Sequence, residues 1–147
     1  MDNKIPNNEK ITSENKLENF AKIAVENYIY NFDKYKLDLA ANEVLSLAIT
    51  TNLYLNDNQP WLLIKDKDNL PLVKEIIYNV LESTRIIGLL LLPLLPELST
   101  KINEQLGSIY REEIPWKQQL SWGLLLSNST LPKPTPIINK LEYEQHL

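Results

Sequence analysis

The sequence predicts an all-α fold: an antiparallel bundle of about four helices with an irregular C-terminal tail packed along it. Apolar residues recur at helical spacing over several long stretches. Prolines and polar turns separate those stretches where helices would stop and start. Nothing alternates with period two for long enough to make a sheet, and no internal repeat of fixed period is visible.

Residues 1–12 are polar and unpatterned and read as a linker or disordered tail. Ser13, followed by Glu14, offers an N-cap, after which Leu17, Phe20, Ala21, Ala24 and Tyr28 share one helical face. A polar turn near Asp33 and Lys34 leads into a second helix with an inward stripe of Leu37, Ala41, Val44, Leu45, Ala48 and Leu55. Asn52 falls within that stripe, so its amide is expected to be buried and paired with backbone groups. Pro60 disfavours helical geometry at Gln59 and lacks a donor, so this helix should end just before it.

Pro71 suits the first turn of a third helix whose inward residues are Val73, Ile76, Ile77, Val80, Thr84, Ile87 and Leu91. Past Ile86 the pattern is apolar on every side, the mark of a helix end buried by several neighbours, and this helix is therefore the central one. Arg85, at the edge of that section, calls for a carboxylate, and Glu82 lies one turn away; a structural ion pair is the plainer reading than a functional contact. Pro93 and Pro96 close the helix, and Pro96 with Glu97 opens a fourth that buries Leu98, Ile102 and Leu106 and stops at Gly107. The remainder is an irregular wrap with a short helix near residues 116–121, a tail that Trp116 and Trp122 pack onto the bundle. One helical domain over residues 13–142 and a frayed end over 143–147 complete the expected organisation.

A chain of 147 residues supports one core and is too short for two domains. With 44% apolar and 23% charged residues it has the composition of a folding chain. The absence of Cys excludes disulfides and thiolate zinc sites, and a cytoplasmic setting is the default. The N-terminal stretch has no apolar signal region, and residues 86–96 are too short and proline-broken to cross a bilayer, so no membrane partner is expected. A net charge of −4 argues against an independent, high-affinity grip on phosphate backbones.

No catalytic constellation is present. The sole histidine is His146, beside the chain end; glycines 88, 107 and 123 are isolated; and Glu112, Glu113, Asp66 and Asp68 read as solvated charges. What stands out is Trp61, directly after Asn58, Gln59 and Pro60 where the second helix ends. It either caps the core with its N–H toward solvent or serves as a stacking platform for an unpaired base, with Pro60 holding it and Asn58 and Gln59 offering hydrogen bonds.

The ordered motifs discriminate between these readings. "NLYLNDNQPWLLIKD" carries Asn52, Tyr54, Leu55, Pro60, Trp61, Lys65 and Asp66; the next helix carries Tyr78, Glu82 and Arg85 before Pro93 and Pro96; then come Leu106-Gly107 and Trp122-Gly123. In order and spacing, over roughly residues 15–142, the chain resembles the C-terminal anticodon-binding domain of bacterial methionyl-tRNA synthetase. The resemblance implies that Trp61 and Pro60 form the platform on which the first base of a CAU anticodon, a cytosine, stacks, with Asn58 beside it. It implies the anticodon loop of the methionine tRNA and the catalytic half of the ligase as partners. ATP and methionine would bind that half, leaving no cofactor in this chain. The family's His-x-Gly-His and Lys-Met-Ser-Lys-Ser signatures are absent, so the chain alone is expected to form no methionyl adenylate. The family's Asn-x-x-x-Arg anticodon contacts are expected on a helix upstream of this sequence, and its Leu-Phe-x-Arg-Ile-Glu segment reads "IINKLE" here. Two alternatives remain open: a free-standing helical protein-interaction module in which Trp61 anchors a partner, and the corresponding domain of another class I synthetase, such as the isoleucine or valine enzyme.

Overall fold

The computed structural model describes residues 3–107 and 110–137. It is an all-α bundle of four principal helices: α1 (Lys16–Asp33), α2 (Leu37–Asn58), α3 (Leu70–Leu91) and α4 (Pro96–Gln105). A single helical turn, Pro60–Leu63, and two 3-10 turns, Lys67–Asn69 and Trp116–Leu120, complete the regular structure. The described residues contain no β-sheet, only one isolated antiparallel bridge between Lys4 and Thr130. The expectations for residues 138–147, among them the frayed end, His146 and nearly all of "IINKLE", lie outside the described residues.

The cap of α1 is Asn15, where the sequence suggested Ser13. Its side-chain oxygen accepts from the Glu18 N–H at 3.0 Å, satisfying one of the amides that a helix start leaves unpaired. The phase of α2 also differs from expectation. Of the expected stripe Val44 is buried and Ala48 packs on the core, but the other buried residues are Ala40, Leu47 and Thr51, while Leu37, Ala41 and Leu45 are exposed and Asn52 stands in solvent. The solvent face of α2 is itself apolar, with Leu45, Ile49 and Leu53 in line, so two stripes compete and spacing alone selects neither. Thr51 fills the inward polar position: its hydroxyl bonds the Leu47 carbonyl and the Ser83 hydroxyl.

Helix α3 is central, as its apolar end predicts; α1, α2, α4 and the Trp116–Leu120 turn all pack on it, and Ile86 through Leu90 are buried. A buried helix end must still satisfy its last four carbonyls. Here Ser99 Oγ donates to Gly88 O at 2.6 Å, Trp116 Nε1 to Leu89 O at 2.7 Å, and Tyr28 Oη to Leu90 O at 2.7 Å. The Leu94 and Leu95 amides take Leu91 O. Three separate elements are thus pinned to one helix terminus, and burial pushes the Tyr28 phenol up to about 12. Trp116 also meets the rings of Tyr28 and Phe32, with centroids 6.0 and 6.2 Å away, which fastens the tail as expected.

Residues 3–12, read above as a linker or tail, lie as a strap along the bundle. Ile5 is 1% exposed and packs with Tyr78 and Leu125. Its N–H donates to Ser129 O, its carbonyl accepts from Asn128 N–H, and Leu131 N–H donates to Asn3 O. Further on, Glu75 accepts from the Ile11 and Thr12 amides and the Thr12 hydroxyl. Polar composition concealed this because a single buried side chain and a row of backbone bonds suffice to hold the strap. Ile5→Ala is expected to lower stability by about 2 kcal/mol, the lower end for deleting a buried aliphatic side chain. Urea unfolding checks this, and hydrogen exchange should quicken at the amides of Ile5, Asn128 and Leu131.

Candidate functional site

The bend after α2 is built by its own residues. Gln59 adopts a left-handed conformation, φ 45°, and its N–H caps α2 on Leu55 O. Pro60 then occupies the first position of a new helical turn, where a missing N–H costs nothing, and it is buried. Gln59 O accepts from both the Leu62 and Leu63 amides, and Pro60 O from Ile64. Trp61 sits on this pinned turn with half its surface, 50%, in solvent. Its backbone is therefore held while its ring is presented outward, flanked by the exposed Leu62 and Ile64.

Asn58, the third residue singled out from the sequence, shares this bend and is half-buried. Its Nδ2 donates to Tyr54 O at 2.7 Å. From there a polar relay runs inward: Asn79 Nδ2 donates to Tyr54 Oη at 3.0 Å, and Asn15 Nδ2 donates to Asn79 Oδ1 at 3.0 Å. The relay joins the last turn of α2 to α3 and to the cap of α1. Burial holds the Tyr54 phenol above its ordinary value. Between the strap, the start of α1 and the end of α2 lies a hollow of about 350 Å³ with an apolar floor of Leu72 and Ile76.

The other residues of the ordered motifs gather elsewhere. Arg85 and Glu82 form the expected ion pair, buried and two-pronged: Nε to Oε2 at 2.8 Å and Nη2 to Oε1 at 2.7 Å. Glu82 Oε1 also accepts from the amides of Gly123 and Leu124 at 2.7 and 3.0 Å, and Oε2 from Leu125 at 3.1 Å. Arg85 donates to the carbonyls of Gln119 and Ser121, and Tyr78 Oη to Leu125 O. Gly123 takes φ +94°, which lets the chain turn its amide onto the carboxylate. Tyr78, Glu82, Arg85 and Gly123 thus hold the tail to α3 and stand apart from the bend. Lys65 and Asp66 are exposed, and Asp66 Oδ1 caps the Asp68 amide at 3.0 Å.

Among the described residues no group of three or more His, Asp or Glu side chains is placed to hold a metal ion. What sequence reasoning missed at the bend is its support. The Asn15–Asn79–Tyr54 relay joins residues up to 64 positions apart, and the Glu75 clamp joins the strap to α3. Only the Asn-x-Tyr motif pointed that way, by singling out Tyr54.

The sequence matches the family described as the anticodon binding domain of methionyl tRNA ligase over residues 5–146. It is 37% identical to the methionine–tRNA ligase of Synechocystis sp. over 113 residues, which cover 70% of this chain and 21% of that ligase. It is 32% identical to the methionine–tRNA ligase of Lactococcus lactis over 115 residues, covering 78% of this chain and 17% of the relative. The chain therefore spans about a fifth of the length of these curated relatives. In structure it is similar to the apo methionyl-tRNA synthetase of Mycobacterium tuberculosis, with a TM-score of 0.79 over 95% of this chain and 28% of that one; at 22% identity this speaks for the fold.

Proposed function

The chain belongs to the family of anticodon-binding domains of methionyl-tRNA ligase, and from that premise we propose that it recognises the CAU anticodon loop of the methionine tRNA as the C-terminal part of a methionine–tRNA ligase. Trp61 is the ring on which the first anticodon base stacks, Pro60 holds it, and Asn58 lines the same bend. The observation that supports this is the presentation of Trp61: an indole half in solvent on a turn whose backbone is fixed by a buried proline and three hydrogen bonds. A splayed-out base needs a rigid, accessible aromatic face of this kind.

The formal charge of −4 suits a reader of bases better than a phosphate-binding domain. Grip on the tRNA backbone then falls to the rest of the ligase. The catalytic half, with its ATP and methionine sites, is the other partner, and the cytoplasm is the setting in which tRNA is charged.

The test is an anticodon exchange on the ligase that carries this chain. Changing a tRNA transcript from CAU to GAU is expected to reduce kcat/KM for methionine charging by at least about tenfold, since loss of a good base-specific contact is worth about 1–3 kcal/mol. Equal rates for the two transcripts would remove the anticodon from the reading. Preference for GAU would move the chain to the isoleucine-type alternative, and recovery of the native chain with a protein partner and no RNA would favour the interaction module.

A further inference from the structure

We infer that the segment following Ile137, residues 138–147, docks through Ile138 and Leu141 in the apolar groove at the turn between α3 and α4. The groove, about 490 Å³, is lined by Leu95, Pro96, Glu97, Leu98 and Lys101. Leu95 leaves 53% of its surface open there. Covering such a side chain removes apolar area from water, which favours an aliphatic occupant.

The path of the tail names that occupant. Thr135 lies against Gln105, the last residue of α4: Gln105 Nε2 donates to Thr135 Oγ1 at 2.7 Å, and Gln105 Oε1 accepts from the Thr135 amide at 3.1 Å. Two residues on, the Ile137 carbonyl accepts from Lys101 Nζ at 3.5 Å. The tail therefore runs antiparallel to α4, from its last turn toward its first. The steps match, since four helical residues rise about 6 Å and two extended residues advance about 6.6 Å. A further step of the same length arrives at Glu97, which lines the groove together with Lys101. The sequence that arrives is Ile138-Asn139-Lys140-Leu141. It brings two aliphatic side chains for the groove and an ammonium, Lys140, for the Glu97 carboxylate on its rim. A separate molecule would have to offset its lost translation and rotation on this small surface, whereas a segment tethered one helical turn away has already lost most of that freedom.

The groove follows the end of α3, and the Trp61 bend precedes its start; the 22 residues of that helix separate them by about 33 Å. Docking thus holds residues 138–147 at the end of the bundle opposite Trp61, and the inference stands independently of the anticodon reading.

The experiment uses the full 147-residue chain, which has no cysteine, so an engineered pair reports without background. With Glu97→Cys and Lys140→Cys together, oxidation is expected to form a disulfide within one chain, which requires Cα atoms within about 7 Å. Non-reducing electrophoresis and intact mass detect it. Adding either Leu95→Asp or Leu141→Asp is expected to slow its formation by about tenfold, the scale of a buried leucine's contribution. Leu95 is the N-cap residue of α4 and makes no side-chain cap bond, so an aspartate there can cap the helix and the fold is retained. Formation at an undiminished rate in either variant would mean that the tether alone brings the pair together, and overturns the inference. Failure of the pair to oxidise within the chain does the same. A disulfide formed mainly between two chains, and faster at higher concentration, would seat a second copy in the groove and overturns it equally.

Discussion

Glu82→Ala is expected to lower the stability of the domain by about 3–5 kcal/mol, the range for removing one member of a buried ion pair. The glutamate is 0% exposed, and its two oxygens receive five hydrogen bonds: two from Arg85 and one each from the amides of Gly123, Leu124 and Leu125. Its removal leaves the Arg85 guanidinium, 4% exposed, without its counter-charge and leaves three backbone amides without an acceptor. Against a typical domain stability of about 5–15 kcal/mol such a loss is large. Urea unfolding followed by far-UV dichroism measures it, and hydrogen exchange at residues 123–125 locates it. A replacement of both partners by apolar residues, Glu82→Leu with Arg85→Met, should cost less than Glu82→Ala because no unpaired charge remains buried. A loss below about 1 kcal/mol for Glu82→Ala would mean that the tail is held by its apolar contacts, Trp116 and Leu120 foremost.

Trp61→Ala is expected to lower kcat/KM for tRNA by about tenfold to a hundredfold in the ligase that carries this chain. Base stacking on an aromatic side chain is worth about 1–3 kcal/mol, and its loss appears in kcat/KM as a loss of transition-state binding. The ring is half in solvent, so the fold should be unaffected, in contrast to Glu82→Ala. Adenylate formation, measured by ATP–pyrophosphate exchange, should be unchanged because the chemistry belongs to the catalytic half. Trp61→Phe retains a stacking face and should fall between. Charging that is indifferent to Trp61→Ala would sink the platform assignment and leave the outward indole to a protein contact.

Several features of this protein were legible without coordinates because they are local. Pro60 ends α2 through its own ring, Pro71 and Pro96 stand in the first turns of α3 and α4, and Gly107, with φ +93°, stops the last of these. The apolar run after Ile86 announced a helix end surrounded by neighbours, and Arg85 found Glu82 because both lie on one helix, three residues apart. Trp61, Pro60 and Asn58 share one bend because they are adjacent in the chain. The order of short motifs carried the family likewise, since order and spacing are read along the chain.

What only the tertiary structure decided involves partners far apart in sequence. The amphipathic phase of α2 was misread because both of its faces carry apolar residues; Ala40, Val44, Leu47 and Thr51 turn inward only because α1 and α3 lie on that side. The strap gained its place from the buried Ile5, from the Glu75 carboxylate at residues 11 and 12, and from backbone bonds to residues 128–131, groups that every residue possesses and no composition reveals. The same holds for the hollow lined by Tyr54 and Asn58, whose walls come from the strap, two helix ends and the body of α3. Local chain geometry is written in neighbouring residue types, whereas the choice among several apolar faces and equivalent backbone groups depends on the free energy of burying them together, which becomes defined once the helices pack.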